Sequence, residues 1–321
     1  FIDNRINIEA DWYTRNNFDL IGLIYTKGTG GQLAKFANVA SMKSSGVEFT
    51  VSTRNIKTKD FSWNTDFIFS HTKNEVTDLQ SNASVMDMIS GNGFAMEGYP
   101  VRALFSMDFQ GLNENGYPTF INEKGQLTVS DINFQEQLKK DHLVYEGPTD
   151  PTMTGSLGNI FRYKGFTLNA FITYSFGNVI RLDPVFHNVY SDLDAMPREF
   201  INRWTTGGDE KVTNVPVIAD KRANQQDPYL SYAYNAYNYS TERIAKGDFI
   251  RMKELSLSYN FPKKMISRLK VNDLSLKIQA TNLFLIYSDK KLNGQDPEFF
   301  NTGGVASPVP RQFTLTLRLG I

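Results

Sequence analysis

The last nine residues, Phe313-Thr-Leu-Thr-Leu-Arg-Leu-Gly-Ile321, alternate apolar and polar side chains without interruption. Successive residues of a strand point to opposite faces. Phe313, Leu315, Leu317, Leu319 and Ile321 therefore line one side, and Thr314, Thr316, Arg318 and Gly320 the other. The same period of two recurs upstream. Ile6, Ile8, Ala10 and Trp12 alternate with Arg5, Asn7, Glu9 and Asp11; Val47, Phe49 and Val51 alternate with Glu48, Thr50 and Ser52; Phe61, Trp63, Thr65, Phe67 and Phe69 alternate with Ser62, Asn64 and Asp66. Segment 18–25 reads as a further strand after a turn at 14–17 carrying Asn16-Asn17. Segments 156–164 and 166–176 read as a hairpin around Lys164-Gly165. Segment 249–261 stops at Pro262, which cannot donate to a ladder, and 274–280 precedes the terminal strand. The pattern predicts about nine strands.

The connections separate two architectures that share this alternation. Short turns at 14–17, 55–60, 164–165 and 262–272 alternate with long polar segments at 26–42, 71–153, 177–247 and 284–311. Brief periplasmic turns facing long extracellular loops are the habit of outer-membrane barrels, and connections this long are rare in compact soluble domains. The expected fold class is all-β, an antiparallel transmembrane β-barrel with apolar residues toward lipid and polar ones toward a watery lumen. A soluble β-rich sandwich, such as a glycan-binding or adhesin module, is the alternative. Segment 101–112 also looks strand-like, but counting it as a membrane strand would put Lys164-Gly165 outside the cell. It is assigned to the large extracellular loop. The last strand of a barrel must pair with the first, so further strands are expected upstream of Phe1, and with them any address signal.

Composition narrows the chemistry. Lys+Arg and Asp+Glu are equal at 34 each, so no global field draws the chain to nucleic acid. There is no cysteine, hence no disulfide framework or thiolate site. His71, His142 and His187 are scattered, and no cofactor is expected. No apolar run approaches the eighteen or so residues that a membrane helix needs. Phe, Tyr and Trp number 24, 15 and 3, enough for the two aromatic girdles of a barrel.

Six passages in order resemble the C-terminal third of SusC/RagA-type TonB-linked outer-membrane proteins. Ser44-Ser-Gly-Val-Glu-Phe49, Phe61-Ser-Trp-Asn-Thr65 and Lys73-Asn-Glu-Val-Thr-Asp-Leu79 are similar to one stretch of that family. Gly147-Pro148 with Pro151, then Gly155 to Gly165 ending Phe161-Arg-Tyr-Lys-Gly165, resembles another. Asn202-Arg-Trp204, the run Gly247-Asp-Phe-Ile-Arg-Met-Lys-Glu-Leu-Ser-Leu-Ser-Tyr-Asn-Phe-Pro262, Ala280-Thr-Asn-Leu-Phe284 and Asp296-Pro-Glu298 complete the set. Family members usually end in an aromatic residue, whereas this chain ends Gly320-Ile321. The resemblance implies a 22-stranded barrel closed by an N-terminal plug, of which residues 1–321 form the C-terminal portion, in the outer membrane of a Gram-negative bacterium. It also implies import of an oligosaccharide or peptide substrate, a SusD-like surface lipoprotein as lid, and coupling to the TonB complex through the N-terminal part. The expected partners are that lipoprotein, the N-terminal barrel and plug portion, outer-membrane lipid and the substrate.

Tyr229, Tyr232, Tyr234, Tyr237 and Tyr239, with Trp204 upstream, are the candidate contacts for ligand or partner. Tyrosine offers a flat apolar face and a hydroxyl. The plainer reading is that these rings pack the loop onto the rim. Arg5, Glu9, Asp11, Glu48, Arg54 and Asp66 are expected to face the lumen, where charge is tolerated. Arg251 and Lys253 share the parity of Leu255, so they are expected at the extracellular rim. Asn113-Glu-Asn-Gly-Tyr117 and Asn122-Glu-Lys-Gly-Gln126 faintly resemble calcium loops, but Lys124 stands where an acid is wanted, and turn chemistry explains them. Asp183, Asp192, Asp194 and Asp209 read as solvated loop acids. No nucleophile or acid pair supports an enzyme.

Overall fold

The computed structural model describes residues 5–25, 31, 34–80, 83–191, 193, 196–269, 271–300 and 308–321. Its backbone is organised by one eight-stranded antiparallel sheet whose strands neighbour one another in chain order. The strands are β1 (Ile6–Tyr25), β2 (Ala34–Lys57), β3 (Phe61–Leu79), β4 (Met153–Tyr163), β5 (Phe166–Phe176), β6 (Phe249–Asn260), β7 (Asp273–Ser288) and β8 (Gln312–Gly320). No described helix is long and apolar enough to cross a membrane.

Two of the expected strands are one. Arg15, Asn16 and Asn17 continue the ladder against Ser44, Lys43 and Met42, so there is no turn at 14–17. The Asn-Asn signal instead precedes an irregularity, with Asp19 at φ 53° and two register shifts around Leu20. A bulge bends the strand without ending it. Strands also run further than their hydrophobic pattern. β1, β2 and β3 are 20, 24 and 19 residues long, whereas about 9–11 tilted residues cross the hydrocarbon. The remainder stands above the membrane, where both faces meet water and the period of two disappears although the ladder persists.

Register gives the sheet two unlike faces. One apolar row runs Ala10, Phe49, Phe69 and a second runs Trp63, Phe161, Leu168, Leu257, Ile278, Leu315. One residue over, the opposite face carries Glu9, Thr50, Asn169, Ser256, Gln279 and Thr314. On the apolar face Trp12 is 75% exposed and Phe313 74%. A belt of this extent on a soluble protein would be far beyond an ordinary apolar patch, whereas lipid satisfies it.

Two glycines of the wall are required by the tyrosines that lie across them. Tyr13 crosses Gly46 to meet Thr72 at 2.9 Å, and a Cβ on Gly46 would fall 2.5 Å from the phenol ring. Tyr174 crosses Gly155, and its hydroxyl donates to the Ile68 carbonyl at 2.9 Å. A Cβ there would fall 2.1 Å from that carbonyl oxygen. Each pair ties three strands together, as ring-over-glycine packing does.

Short connections join the strands at one end (58–60, 164–165 and 261–272). At the other end, segments 80–152 and 177–248 fold together into a platform with its own core. Its small strands pair only among themselves: Ala103–Met107 with Leu143–Pro148, Phe109–Leu112 with Pro118–Ile121 and Leu127–Thr128, and Val179–Arg181 with Ile244–Lys246. Segment 101–112 therefore belongs to the loop and not to the wall. Met107, Phe120, Phe186, Phe200, Tyr234 and Tyr237 meet in one cluster drawn from both segments. With short turns periplasmic, the platform is extracellular.

Candidate functional site

The helix Leu230–Asn238 sorts the tyrosines. Tyr234 and Tyr237, three apart, fall on the face turned to the core and are 1% and 3% exposed. Tyr234 donates to the Val217 carbonyl, and Tyr237 meets Phe186 edge-on at 4.9 Å. Burial raises both phenols above their ordinary value. These two are packing residues, because the helical period places them inward where a ligand cannot reach. Tyr239 is half-buried, and its backbone carbonyl accepts the Met107 N–H at 2.9 Å. Tyr229 and Tyr232 point outward, 62% and 43% exposed, with ring centroids 5.7 Å apart. Trp204 lies half-buried against the Gly116 turn and donates Nε1–H to Glu210 Oε2 at 3.1 Å. Of the six aromatic candidates, the structure thus leaves the Tyr229–Tyr232 pair as the exposed one.

The loop polar residues are spent locally. Asn113 Oδ1 accepts from the Asn115 and Tyr117 N–H groups at 3.0 and 2.9 Å. Asn122 Oδ1 accepts from Lys124 and Gln126 at 3.0 Å each. Both are Asx turns. Asp209 accepts from the Thr205 and Thr206 N–H groups at 2.9 and 3.0 Å, which holds its carboxyl below the usual range. The Asp183 carbonyl accepts from Arg243 at 3.1 Å. Asp192 and Asp194 lie outside the described residues.

On the polar face of the wall, Asp11 stands opposite Glu48, Glu9 opposite Thr50, and Asp66 opposite Ser52, which donates to Asp66 Oδ1 at 2.7 Å. Four carboxylates thus occupy one band across β1–β3. Arg5 and Arg54 sit lower, at the short-turn end, where the Arg54 N–H donates to the Arg5 carbonyl at 2.8 Å and Arg5 Nη2 reaches the Asn55 carbonyl at 2.8 Å. Glu254 on β6 extends the polar band: Asn169 and Ser256 both donate to it at 3.1 Å, and Lys277 pairs with it at 3.8 Å. Glu254 escaped the sequence reading although it shares the parity of Ser256 and Ser258.

Arg251 corrects the expected register. Ala170 pairs with Leu255 and Phe171 with Glu254, but Ile172 pairs with Met252. Lys253 is the extra residue of a bulge, which inverts the parity beyond it. Arg251 therefore turns to the polar face, opposite Thr173, and does not follow Leu255 outward. It is buried at the extracellular end of the wall, in an ion pair with Asp296 and a second with Glu298 at 2.8 Å. The Asp296-Pro-Glu298 segment is thereby folded against the inner side of the mouth. A cavity of about 750 Å³ lies beside this cluster, lined by Asn92, Asp183, Asn282, Gln295 and Arg311 among others.

The arrangement is a wall with an apolar exterior and a polar, hydrogen-bonding interior, narrowed at one end by a folded platform. No protein-family model matches the chain. It is 24% identical over 310 residues to TonB-dependent receptor P3 of Formosa agariphila, covering 92% of this chain and 29% of that protein. It is 25% identical over 338 residues to the TonB-dependent receptor SusC of Bacteroides thetaiotaomicron, covering 100% of this chain and 30% of the relative. The chain thus spans about a third of the length of the curated relatives that it matches. Among solved structures, the RagAB peptide transporter superimposes with a TM-score of 0.75 at 21% identity, over 99% of this chain and 34% of that one. With the ordered motifs and the two-faced wall, these likenesses make the chain similar to the SusC/RagA-type TonB-linked proteins, with the fold of part of an outer-membrane β-barrel.

Proposed function

We propose that the chain is the C-terminal wall and extracellular mouth of an importer that takes up oligosaccharides or peptides through TonB-coupled opening of a plug. The observation that carries this reading is the pairing of a lipid-facing belt with a hydrogen-bonding interior under an extracellular platform. Glu9, Asp11, Glu48 and Asp66 then face the lumen or the plug at mid-height, with Arg5 and Arg54 at the periplasmic end. Such a face suits solutes rich in hydroxyl or amide groups, which exchange water hydrogen bonds for wall hydrogen bonds one by one. No covalent step is involved.

In this reading the exposed Tyr229–Tyr232 pair and the platform meet a SusD-like lipoprotein lid, and the remaining strands and the plug belong to the rest of the same protein. The test is extraction of the native protein from outer membranes in detergent, with identification of co-purifying chains, followed by growth of a deletion strain on defined oligosaccharides or peptides. Co-purification with a surface lipoprotein and loss of growth on one substrate class are expected. A species that is soluble without detergent sinks the reading.

A further inference from the structure

The short-turn end of the wall holds a feature that passage of a solute does not use. The β2–β3 turn (58–60) and the β4–β5 turn (164–165) lie side by side, because Phe61 pairs with Tyr163. They are joined by the Lys164 N–H, which donates to the Asp60 carbonyl at 3.1 Å, and the end of β6 closes on the second turn through the Asn260 N–H, which donates to the Gly165 carbonyl at 2.9 Å. Between them is a cavity of about 360 Å³, lined by Lys57, Lys59, Arg162 and Lys164, with Asp60 as the one carboxylate. Lys57 and Arg162 close it from the polar face, where both oppose Ser62. Lys59 and Lys164 stand on the turns.

Lys164 is placed there against its backbone preference. It and Gly165 have φ 50° and 99°, the two positive values of a type I′ hairpin turn, whose first position favours Asn, Asp or Gly. A lysine in the left-handed region carries a strain of about 1–3 kcal/mol. Its ammonium group lies 5.2 Å from the Tyr163 ring centroid. Tyr163 and Phe166 are exposed on the lipid side, and the Phe166 ring packs on Tyr259 at 4.3 Å. Trp63 and Phe161 stack at 5.5 Å just above. Such rings mark the membrane–water interface. Clustered cations directly below an interfacial aromatic belt attract an anionic headgroup.

We propose that this turn pair is a binding site for the phosphodiester of an anionic glycerophospholipid in the periplasmic leaflet. Lys59 and Lys164 engage the phosphate, Lys57 and Arg162 supply the field behind it, and the acyl chains rise along Tyr163 and Phe166. The site would fix the height of the barrel in the bilayer at its periplasmic edge. The inference rests on the membrane-spanning wall and its orientation, not on the importer reading, so a failed uptake assay leaves it standing.

The test uses the full-length protein in detergent micelles. Native mass spectrometry follows retention of added phosphatidylglycerol, phosphatidylethanolamine or soluble glycerophosphate by the wild type and by a K59Q/K164N double variant. Asn is chosen at 164 because it tolerates the left-handed conformation. The wild type is expected to prefer phosphatidylglycerol, and the variant to lose about tenfold of that preference. Equal retention by both proteins overturns the site. Binding of glycerophosphate as tight as that of the lipid overturns the lipid assignment in favour of a free phosphate ester. Should the variant not assemble, the unmodified protein still decides. Raising salt to about 1 M, where the screening length is about 3 Å, must erase the preference, and its persistence overturns the proposal.

Discussion

The wall and the platform obey different rules. In the wall, Trp12 and Phe313 remain exposed on the outer face and order comes from the strand ladder plus the lipid that covers it. On the platform, Phe120, Phe186, Tyr234 and Tyr237 are removed from solvent by one another, as in a soluble domain. One chain therefore contains a sheet that has no core and a core that has almost no sheet. The lesson is that burial inside the protein says little about a residue's importance when the solvent on one side is hydrocarbon.

The comparison breaks most sharply at Phe186, which packs on Phe200 at 5.0 Å and on Tyr237 at 4.9 Å. Phe186→Ala is expected to cost about 3–5 kcal/mol within the platform. Protease should then cut segments 80–152 and 177–248 on intact cells while the barrel still migrates as a heat-modifiable band. Loss of both together would show that platform and wall fold as one unit.

Next comes a pair of neighbours on β7. Ile278 faces lipid between Leu257 and Leu315, and Gln279 faces inward between Ser256 and Thr314. Ile278→Arg should destabilise the barrel by about 2–4 kcal/mol if it lies near the midplane, measured by denaturant unfolding in vesicles. Gln279→Arg should stay within about 0.5 kcal/mol. Equal effects would mean that the register, and with it the assignment of inside and outside, is wrong.

Those two positions also explain what was legible from the amino acids alone. Where lipid lies on one side and water on the other, every second residue must change character, and β3–β8 announce themselves. Above the membrane that constraint lapses. Lys43 opposite Glu75 and Ser45 opposite Lys73 continue the ladder with no alternating hydrophobicity to signal it. The bulge at Lys253 is equally silent, since an inserted residue inverts parity without altering composition, and Arg251 turns to the face opposite to the one its parity predicts. The platform core was hidden for another reason. Its members come from two segments far apart in sequence, so no local period links Phe120 to Tyr234. The tyrosine run was visible as chemistry, but only its helical period separates the buried pair from the exposed one.

A smaller effect is expected where the two long segments are stapled. Buried Arg181 donates to the Phe105 carbonyl at 2.6 Å and the Ser106 hydroxyl at 3.0 Å in one segment, and to the Ser240 carbonyl at 2.7 Å in the other. Arg181→Met would take a donor from each of these buried acceptors, leaving the Ser240 carbonyl the Arg243 N–H at 3.0 Å, at about 1–3 kcal/mol, read as earlier thermal exposure of the platform to protease. Alkaline pH probes the same body. Burial holds Tyr234 and Tyr237 neutral in the fold, while an unfolded phenol ionises near pH 10. Above that pH the unfolded state binds fewer protons, so stability falls as pH rises, by about 1.4 kcal/mol per pH unit for each tyrosine. Below it neither residue contributes a slope. The exposed tyrosines, Tyr229 among them, ionise first; a late fraction of the tyrosinate absorbance rising together with platform proteolysis would bear this out, and full absorbance reached before any proteolysis would not.

The smallest effect on stability is the most telling for function. Tyr229→Ala removes a ring that the platform core does not bury, so folding should change by less than about 0.5 kcal/mol; Tyr232→Ala also loses an edge contact with Phe134 at 5.9 Å, about 0.5–1.5 kcal/mol. If the pair only decorates the surface, uptake and co-purification of the lipoprotein will be unchanged as well. If it anchors a partner, the variants should lose affinity by about 2 kcal/mol or more with no loss of fold, since exposed tyrosines at the centre of an interface behave as hot spots. Substrate contact predicts a third pattern, in which the lipoprotein stays bound and only uptake falls. The three outcomes divide what the buried neighbours Tyr234 and Tyr237 cannot, because substituting those would disturb the fold and the function together.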